Sequence, residues 1–166
     1  MWEWTRYETR GSADYVPVSR WGKDHWSTMA YLETCAVDRG GKVENARMRC
    51  HARLHRHFVY NPPGGHHLGD GSRYPTRLRD DKVLEKHDDW SCLEDMVAAG
   101  LVVAKMRKVN MDTSGDMECR VRFTDSGITL AGLLRRHKLE GGSYGNFQPE
   151  DHTQWLVIAG LTAQSA

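Results

Sequence analysis

Residues 88–138 read DDWSCLEDMVAAGLVVAKMRKVNMDTSGDMECRVRFTDSGITLAGLLRRHK, and the order of elements within them decides the fold. Asp88 or Asp89 is placed to cap a helix, and Ser91-x-x-Glu94 fits a capping box. Trp90, Leu93, Met96 and Val97 recur at helical spacing, and Gly100 stops the run. Leu101-Val102-Val103 opens a strand. Its partner runs from Met117 to Phe123, where Cys119, Val121 and Phe123 alternate with Glu118, Arg120 and Arg122, so one sheet face is apolar and the other wet. The tip between the strands, Asn110 to Asp116, is polar and turn-forming. Thr124 then caps a closing helix, with Asp125 at its positive end and Arg135, Arg136 and Lys138 at its negative end. Ile128, Leu130, Ala131 and Leu134 are expected to form its buried face.

Upstream of this stretch the pattern is looser. A helix is expected from Asp24, capped by Ser27 or Thr28, with Met29, Leu32 and Ala36 on one face and Arg39-Gly40-Gly41 as its stop. Lys42-Val43 reads as a short strand and Asn45 as the cap of a second helix. Residues 51–74 carry Pro62-Pro63-Gly64-Gly65, Gly69 and Gly71, which is loop chemistry. Thr76–Leu78 and Val83–Lys86 then fit a small hairpin. Before Asp24, Trp2, Trp4, Tyr7, Tyr15 and Trp21 form an aromatic arm, and Val16 and Val18 around Pro17 predict an extended segment. After Gly141, the apolar run Trp155 to Ala159 is expected to dock back on the body.

The succession of helix, strand, polar tip, strand and helix over residues 88–138, and VRFTDSGITLAGLLRRHK in particular, resembles the C-terminal half of the winged-helix domains of bacterial and phage regulators. The resemblance implies an α+β fold: a winged-helix-like core with a small antiparallel sheet at residues 24–138. An aromatic arm at residues 1–23 would precede it, and a tail at residues 139–166 would pack on it. The aromatic arm and the 51–74 insertion depart from the family pattern. Such domains mostly bind nucleic acid or other proteins, with the helix before the wing in the major groove in the ordinary case.

Composition narrows the choice. A chain of 166 residues suits one domain with appendages, and 39% hydrophobic residues with six tryptophans and six tyrosines are enough for a core despite a mean hydropathy of −0.66. The net charge of +1 means that bulk electrostatics do not draw the protein to nucleic acid, so any such surface must come from local segregation of charge. No apolar run approaches the roughly 20 residues that span a bilayer, and the N-terminus lacks the basic-then-apolar order of a signal peptide. Cys35, Cys50, Cys92 and Cys119 are widely spaced without a CxxC pair, which reads as reduced thiols in a cytoplasmic protein that does not engage membranes.

Within that frame the helix before the wing is anomalous, because it carries Asp88, Asp89, Glu94 and Asp95 and no lysine or arginine. Carboxylates facing phosphates repel them, so base reading by this helix is disfavoured. Positive charge lies instead on the wing strands (Lys105, Arg107, Lys108, Arg120), on the segment Arg47, Arg49, Arg53 and Arg56, and on Arg77 of the small hairpin. If these converge they track a phosphate backbone, and if they scatter they are a solvated rim. The leading expectation is a non-enzymatic nucleic-acid-binding protein that regulates transcription. The alternative is a protein-interaction module, such as a phage-type inhibitor or adaptor of a host complex, using Asp88, Asp89, Glu94 and Asp95 together with exposed aromatics. For metal, Cys50, His51, His55, His57, His66 and His67 offer ligands, but the second close pair of a zinc site is ambiguous. The expectation is no cofactor, with zinc as the alternative to a histidine-rich loop. No P-loop, GxSxG or HExxH motif is present, so no enzyme activity is expected.

Overall fold

The computed structural model describes residues 15–44, 47–48, 75–85, 87–108 and 117–152. The 1–14 part of the aromatic arm, most of the expected second helix, the 51–74 insertion, the wing tip and the Trp155–Ala159 run lie outside the described residues. The chain is of mixed α+β class, with three α-helices and two small antiparallel sheets among the described residues. In chain order these are α1 (Lys23–Asp38), β1 (Lys42–Val43), β2 (Thr76–Arg77), β3 (Val83–Leu84), α2 (Asp89–Ala98), β4 (Val102–Lys108), β5 (Met117–Phe123) and α3 (Asp125–Leu139).

Helix α1 starts ahead of the expected caps. Gly22 is its N-cap and makes no side-chain cap bond, while Ser27 and Thr28 sit within the helix. Backbone contact outweighs capping chemistry here, because a Cβ at residue 22 would collide with the main chain of Arg77 and Leu78. Asp24 compensates by accepting the Arg77 amide at 2.6 Å, which fastens β2 to the first turn of α1. His25, Met29, Leu32 and Cys35 then line the buried face. The helix ends as expected at Gly40 and Gly41, both at positive φ, where the Gly41 amide reaches back to the Cys35 carbonyl at 2.8 Å. Turned by these glycines, Lys42 and Val43 enter the sheet.

The three-stranded sheet has the order β1-β5-β4, antiparallel throughout. Lys42 pairs with Arg120, and Arg120 pairs in turn with Lys105. Val43, Cys119, Val121, Phe123, Val102 and Ala104 are buried beneath the helices, whereas Lys42, Arg120, Arg122 and Lys105 are exposed on the other face. From Cys119 to Phe123 the alternation read in the sequence of β5 is thus the real division of the sheet, whereas Glu118, expected on the wet face, is buried beside Arg120. A second, two-stranded sheet pairs β2 with β3, with Thr76 opposite Leu84 and Arg77 opposite Val83.

Helix α2 is capped by Asp88, but the box closes differently from the sequence expectation. The Asp88 carboxylate accepts the Ser91 amide at 2.9 Å and the Ser91 hydroxyl accepts the Asp88 amide at 3.2 Å, so Glu94 is not the reciprocal partner. Helix α3 begins at Thr124, as expected, whose hydroxyl accepts the Gly127 amide and donates to the Gly100 carbonyl at 2.7 Å. Its inward face is Gly127, Leu130, Ala131, Leu133 and Leu134. Ile128, expected inside, is 59% exposed. Gly127 decides this rotation: a side chain there would strike the Leu101 carbonyl, so the helix approaches the backbone just before β4 through a glycine and Ile128 turns outward.

Val16 and Val18 are buried, and Pro17 between them is extended as expected, but the extension stops there. After Pro17, residues Val18–Arg20 form a 3-10 turn, and the Trp21 indole donates to the Val16 carbonyl at 2.8 Å. At the other end of the chain, Phe147 enters the core and meets Trp26 edge to face, with ring centroids 4.7 Å apart. No helix among the described residues is long and apolar enough to cross a membrane.

Candidate functional site

Two places concentrate polar chemistry, one on the surface and one inside. The surface site is the outer face of the three-stranded sheet. Residues directly opposite on neighbouring antiparallel strands project to the same side. Lys42, Arg120 and Lys105 therefore form one rung of cations across three strands, about 10 Å wide at the usual strand spacing. Arg122 continues the patch along β5, opposite Val103. Arg107 and Lys108 are placed by backbone register opposite Glu118 and Met117, further along the same hairpin. Glu118 is an acidic group on this hairpin, 3.4 Å from Arg120.

The other basic candidates fall elsewhere. Arg77 lies beside the first turn of α1 and contacts Asp81, whereas Lys42 follows the last turn. The sixteen residues of α1 separate the two by roughly 24 Å at 1.5 Å per residue, so Arg77 does not join the sheet patch. Arg47 is exposed, 3.9 Å from Glu44, and helps to line a cavity of about 140 Å³ with Ser27, Thr28, Tyr31, Met48 and Asp89. Arg49, Arg53 and Arg56 lie outside the described residues, as do Cys50, His51, His55, His57, His66 and His67. Lys42 was not singled out by sequence reasoning. Its strand was read, and pairing that strand against β5 would have put Lys42 in the rung.

The expected acidic surface does not exist in that form. Asp88, Asp89, Glu94 and Asp95 are between 1% and 6% exposed, so they cannot present a charged face to a partner. Asp88 is consumed as a cap, and Asp95 is the centre of the interior site. Only the C-terminal end of α2, from Val97, reaches the surface.

The interior site joins α1, α2 and the start of β2. One Asp95 oxygen, Oδ2, lies 2.8 Å from Nε2 of His25 and 2.8 Å from Nε2 of His87. The other, Oδ1, accepts the Val16 amide at 3.1 Å. His87 Nδ1 is 2.7 Å from the Thr76 hydroxyl and 4.0 Å from Cys92 Sγ, and that hydroxyl is also 3.0 Å from the His87 carbonyl. The Thr76 hydroxyl thus links the His87 ring to the His87 main chain. His25 stacks on Trp21 at 5.1 Å with an interplanar angle of 7°, and its Nδ1 is buried without a hydrogen-bond partner. Each element contributes for a local reason: Cys92 and Asp95 lie one helical turn apart on α2, and His87 stands just before the cap of that helix.

Burial alone would raise the Asp95 carboxyl, but the hydrogen bonds from His25 and His87 hold it well below the usual carboxylate range. Burial lowers His25, against the opposing pull of Asp95, so its contact with the carboxylate is that of a neutral imidazole N–H. Burial pushes the Cys92 thiol well above its ordinary value. Cys92, His87 and Asp95 follow one another like a nucleophile, base and orienting acid. A nucleophilic thiol needs access and a lowered pKa, however, and Cys92 is fully buried with a raised one. The arrangement can hold charge and ligate a cation: His25, His87 and Cys92 each bring one ligand atom within 4.8 Å of the others. The buried thiols Cys35, Cys92 and Cys119 are all free. No family model, curated protein or solved structure matches the chain.

Proposed function

We propose that the protein is a non-enzymatic, winged-helix-type regulator that holds the phosphate backbone of a nucleic acid against the outer face of its sheet and the adjoining hairpin. The observation that carries this reading is the exposed rung Lys42–Arg120–Lys105, extended by Arg122. Charge segregation strengthens it. Among the described residues six acidic side chains are buried (Asp24, Asp88, Asp89, Glu94, Asp95 and Glu118), while no described lysine or arginine side chain is. The accessible surface of this part is therefore more positive than its full set of charged side chains would make it. The helix preceding the hairpin is buried along most of its length, so contacts come from the strands and not from a helix in the major groove. Backbone contacts of this kind position a protein without specifying sequence. The winged-helix assignment draws support from the way the short strand after α1 joins the sheet of the β4–β5 hairpin, with α2 before that hairpin and α3 after it.

The test is anisotropy with labelled duplex DNA and labelled RNA at about 50 and about 200 mM salt, a range over which six to ten phosphate contacts weaken binding by roughly 10³–10⁵-fold. Binding that falls steeply with salt and weakens in Arg107→Ala/Lys108→Ala supports the reading. Absence of binding to either polymer at the lower salt overturns it.

A further inference from the structure

The interior site has a use beyond holding α1 and α2 together. We infer that His25, His87 and Cys92 form a binding site for a thiophilic divalent cation, zinc being the first choice, with Asp95 as the carboxylate that orients both imidazoles.

Three observations lead there. First, the donor set is right: two imidazoles and a thiol are borderline-soft ligands of the kind zinc selects over calcium or magnesium. Second, Asp95 accepts from one nitrogen of each ring, which is the outer-shell arrangement that fixes the tautomer of a metal-binding histidine and leaves its other nitrogen with a lone pair. For His87 that other nitrogen, Nδ1, faces Cys92 Sγ at 4.0 Å. For His25 it is a fully buried atom with no hydrogen-bond partner, an arrangement that a folded interior rarely keeps without a reason. Third, the Thr76 hydroxyl stands 2.7 Å from His87 Nδ1 and 3.8 Å from Cys92 Sγ, so on moving back from its hydrogen bond with Nδ1 it would be within reach of a fourth coordination position.

Tetrahedral zinc with bonds of about 2.0–2.3 Å sets its donor atoms roughly 3.3–3.8 Å apart, so ligands spread within 4.8 Å need to contract by up to about 1.5 Å. Binding also requires Cys92 to release its proton to solvent as the thiolate forms, which makes loading pH-dependent. The rival account is a purely hydrogen-bonded node, in which Asp95 and the two histidines serve packing alone. The site is independent of the sheet face, so either reading stands if the other fails.

The experiment uses the full chain purified without a histidine tag. Elemental analysis is expected to give about one equivalent of zinc per chain. Exchange for cobalt is expected to give a thiolate-to-cobalt charge-transfer band in the near ultraviolet together with intense visible bands of tetrahedral geometry. Cys92→Ala should abolish the charge-transfer band and His25→Gln should weaken or shift the visible bands. Because a Cys92 variant that failed to fold would lose the band trivially, Cys35→Ser, Cys50→Ser and Cys119→Ser are measured as well. All three must keep the band, leaving Cys92 as the sulfur ligand by elimination. Substoichiometric zinc with no spectrum on cobalt titration overturns the inference. A spectrum that disappears in Cys50→Ser but survives in Cys92→Ala also overturns it, by placing the metal on the 50–67 segment.

Discussion

The outer sheet face and the interior node are built from the same residue types, charged and titratable side chains, yet they obey opposite rules. On the sheet, Lys42, Lys105, Arg120 and Arg122 keep their hydration, and their effect on a ligand is a sum in which any one member is replaceable. Inside, Asp95, His25 and His87 have lost water, and the Asp95 oxygens are tied to named neighbours, Oδ1 to the Val16 amide and Oδ2 to both histidines. Losing one member there strands the others in a medium that penalises unpaired charge. Charge outside therefore stays accessible to solvent and ligands, and charge inside fixes how the helices meet.

The sharpest way to break this contrast is Asp95→Ala. It removes the acceptor of two imidazoles and of the Val16 amide at once, and a loss of about 3–5 kcal/mol in urea-monitored stability is expected. A loss under about 1 kcal/mol would put Asp95 in the same class as the surface charges. A second comparison concerns α3: Leu130→Ala is expected to destabilise by about 2–5 kcal/mol, and Ile128→Ala by less than about 0.5 kcal/mol, both read by thermal or denaturant melts. Equal losses would contradict the rotation of that helix about Gly127.

Acid should separate the two regions in chelator-treated protein. His25 has a folded pKa below its ordinary 6.5, so the unfolded chain takes up the proton first as pH falls. Stability is then complete above about pH 6.5 and declines below it, at no more than about 1.4 kcal/mol per pH unit for one proton. Asp95, held low, adds its own loss only below the ordinary carboxylate range, near pH 4. A His25→Gln variant should lose the decline between about pH 6.5 and pH 5, and persistence of that decline would assign it to another group. The smallest effect on stability is expected at the sheet, where Lys42→Ala, Lys105→Ala and Arg122→Ala should each stay within about 0.5 kcal/mol of the parent protein.

How much of this could be read from the sequence follows the range of the interactions. Strand β5 was legible from Cys119 to Phe123, because Cys119, Val121 and Phe123 alternate with Arg120 and Arg122 over a period of two, but not at Glu118, which is buried. The caps at Asp88 and Thr124 and the glycine stops at Gly41 and Gly100 are equally local, and they fell where expected. Which way α2 turns its carboxylates was not legible. Acidic side chains are rarely buried unless partnered, and the partners of Asp95 come from Val16, His25 and His87. His25 is 70 residues away along the chain, so no spacing rule connects them. The one local trace is Cys92 and Asp95 three apart on a helix, with His87 just before its cap. The face of α3 was misread at Ile128 because apolar character was weighed above the close approach that Gly127 makes to Leu101. The β1 rung required tertiary pairing between Lys42 and Arg120, which hydrophobic periodicity does not report.

The central claim, that cations on the outer sheet face hold a phosphate backbone, is tested most directly by the slope of log affinity against log salt for the parent and for Lys42→Ala/Lys105→Ala/Arg122→Ala. This triple variant leaves the Glu118–Arg120 pair in place. The prediction is weaker binding at every salt concentration and a slope shallower by about 0.9 for each phosphate contact removed from duplex DNA. A folded triple variant with the affinity and slope of the parent would contradict the account.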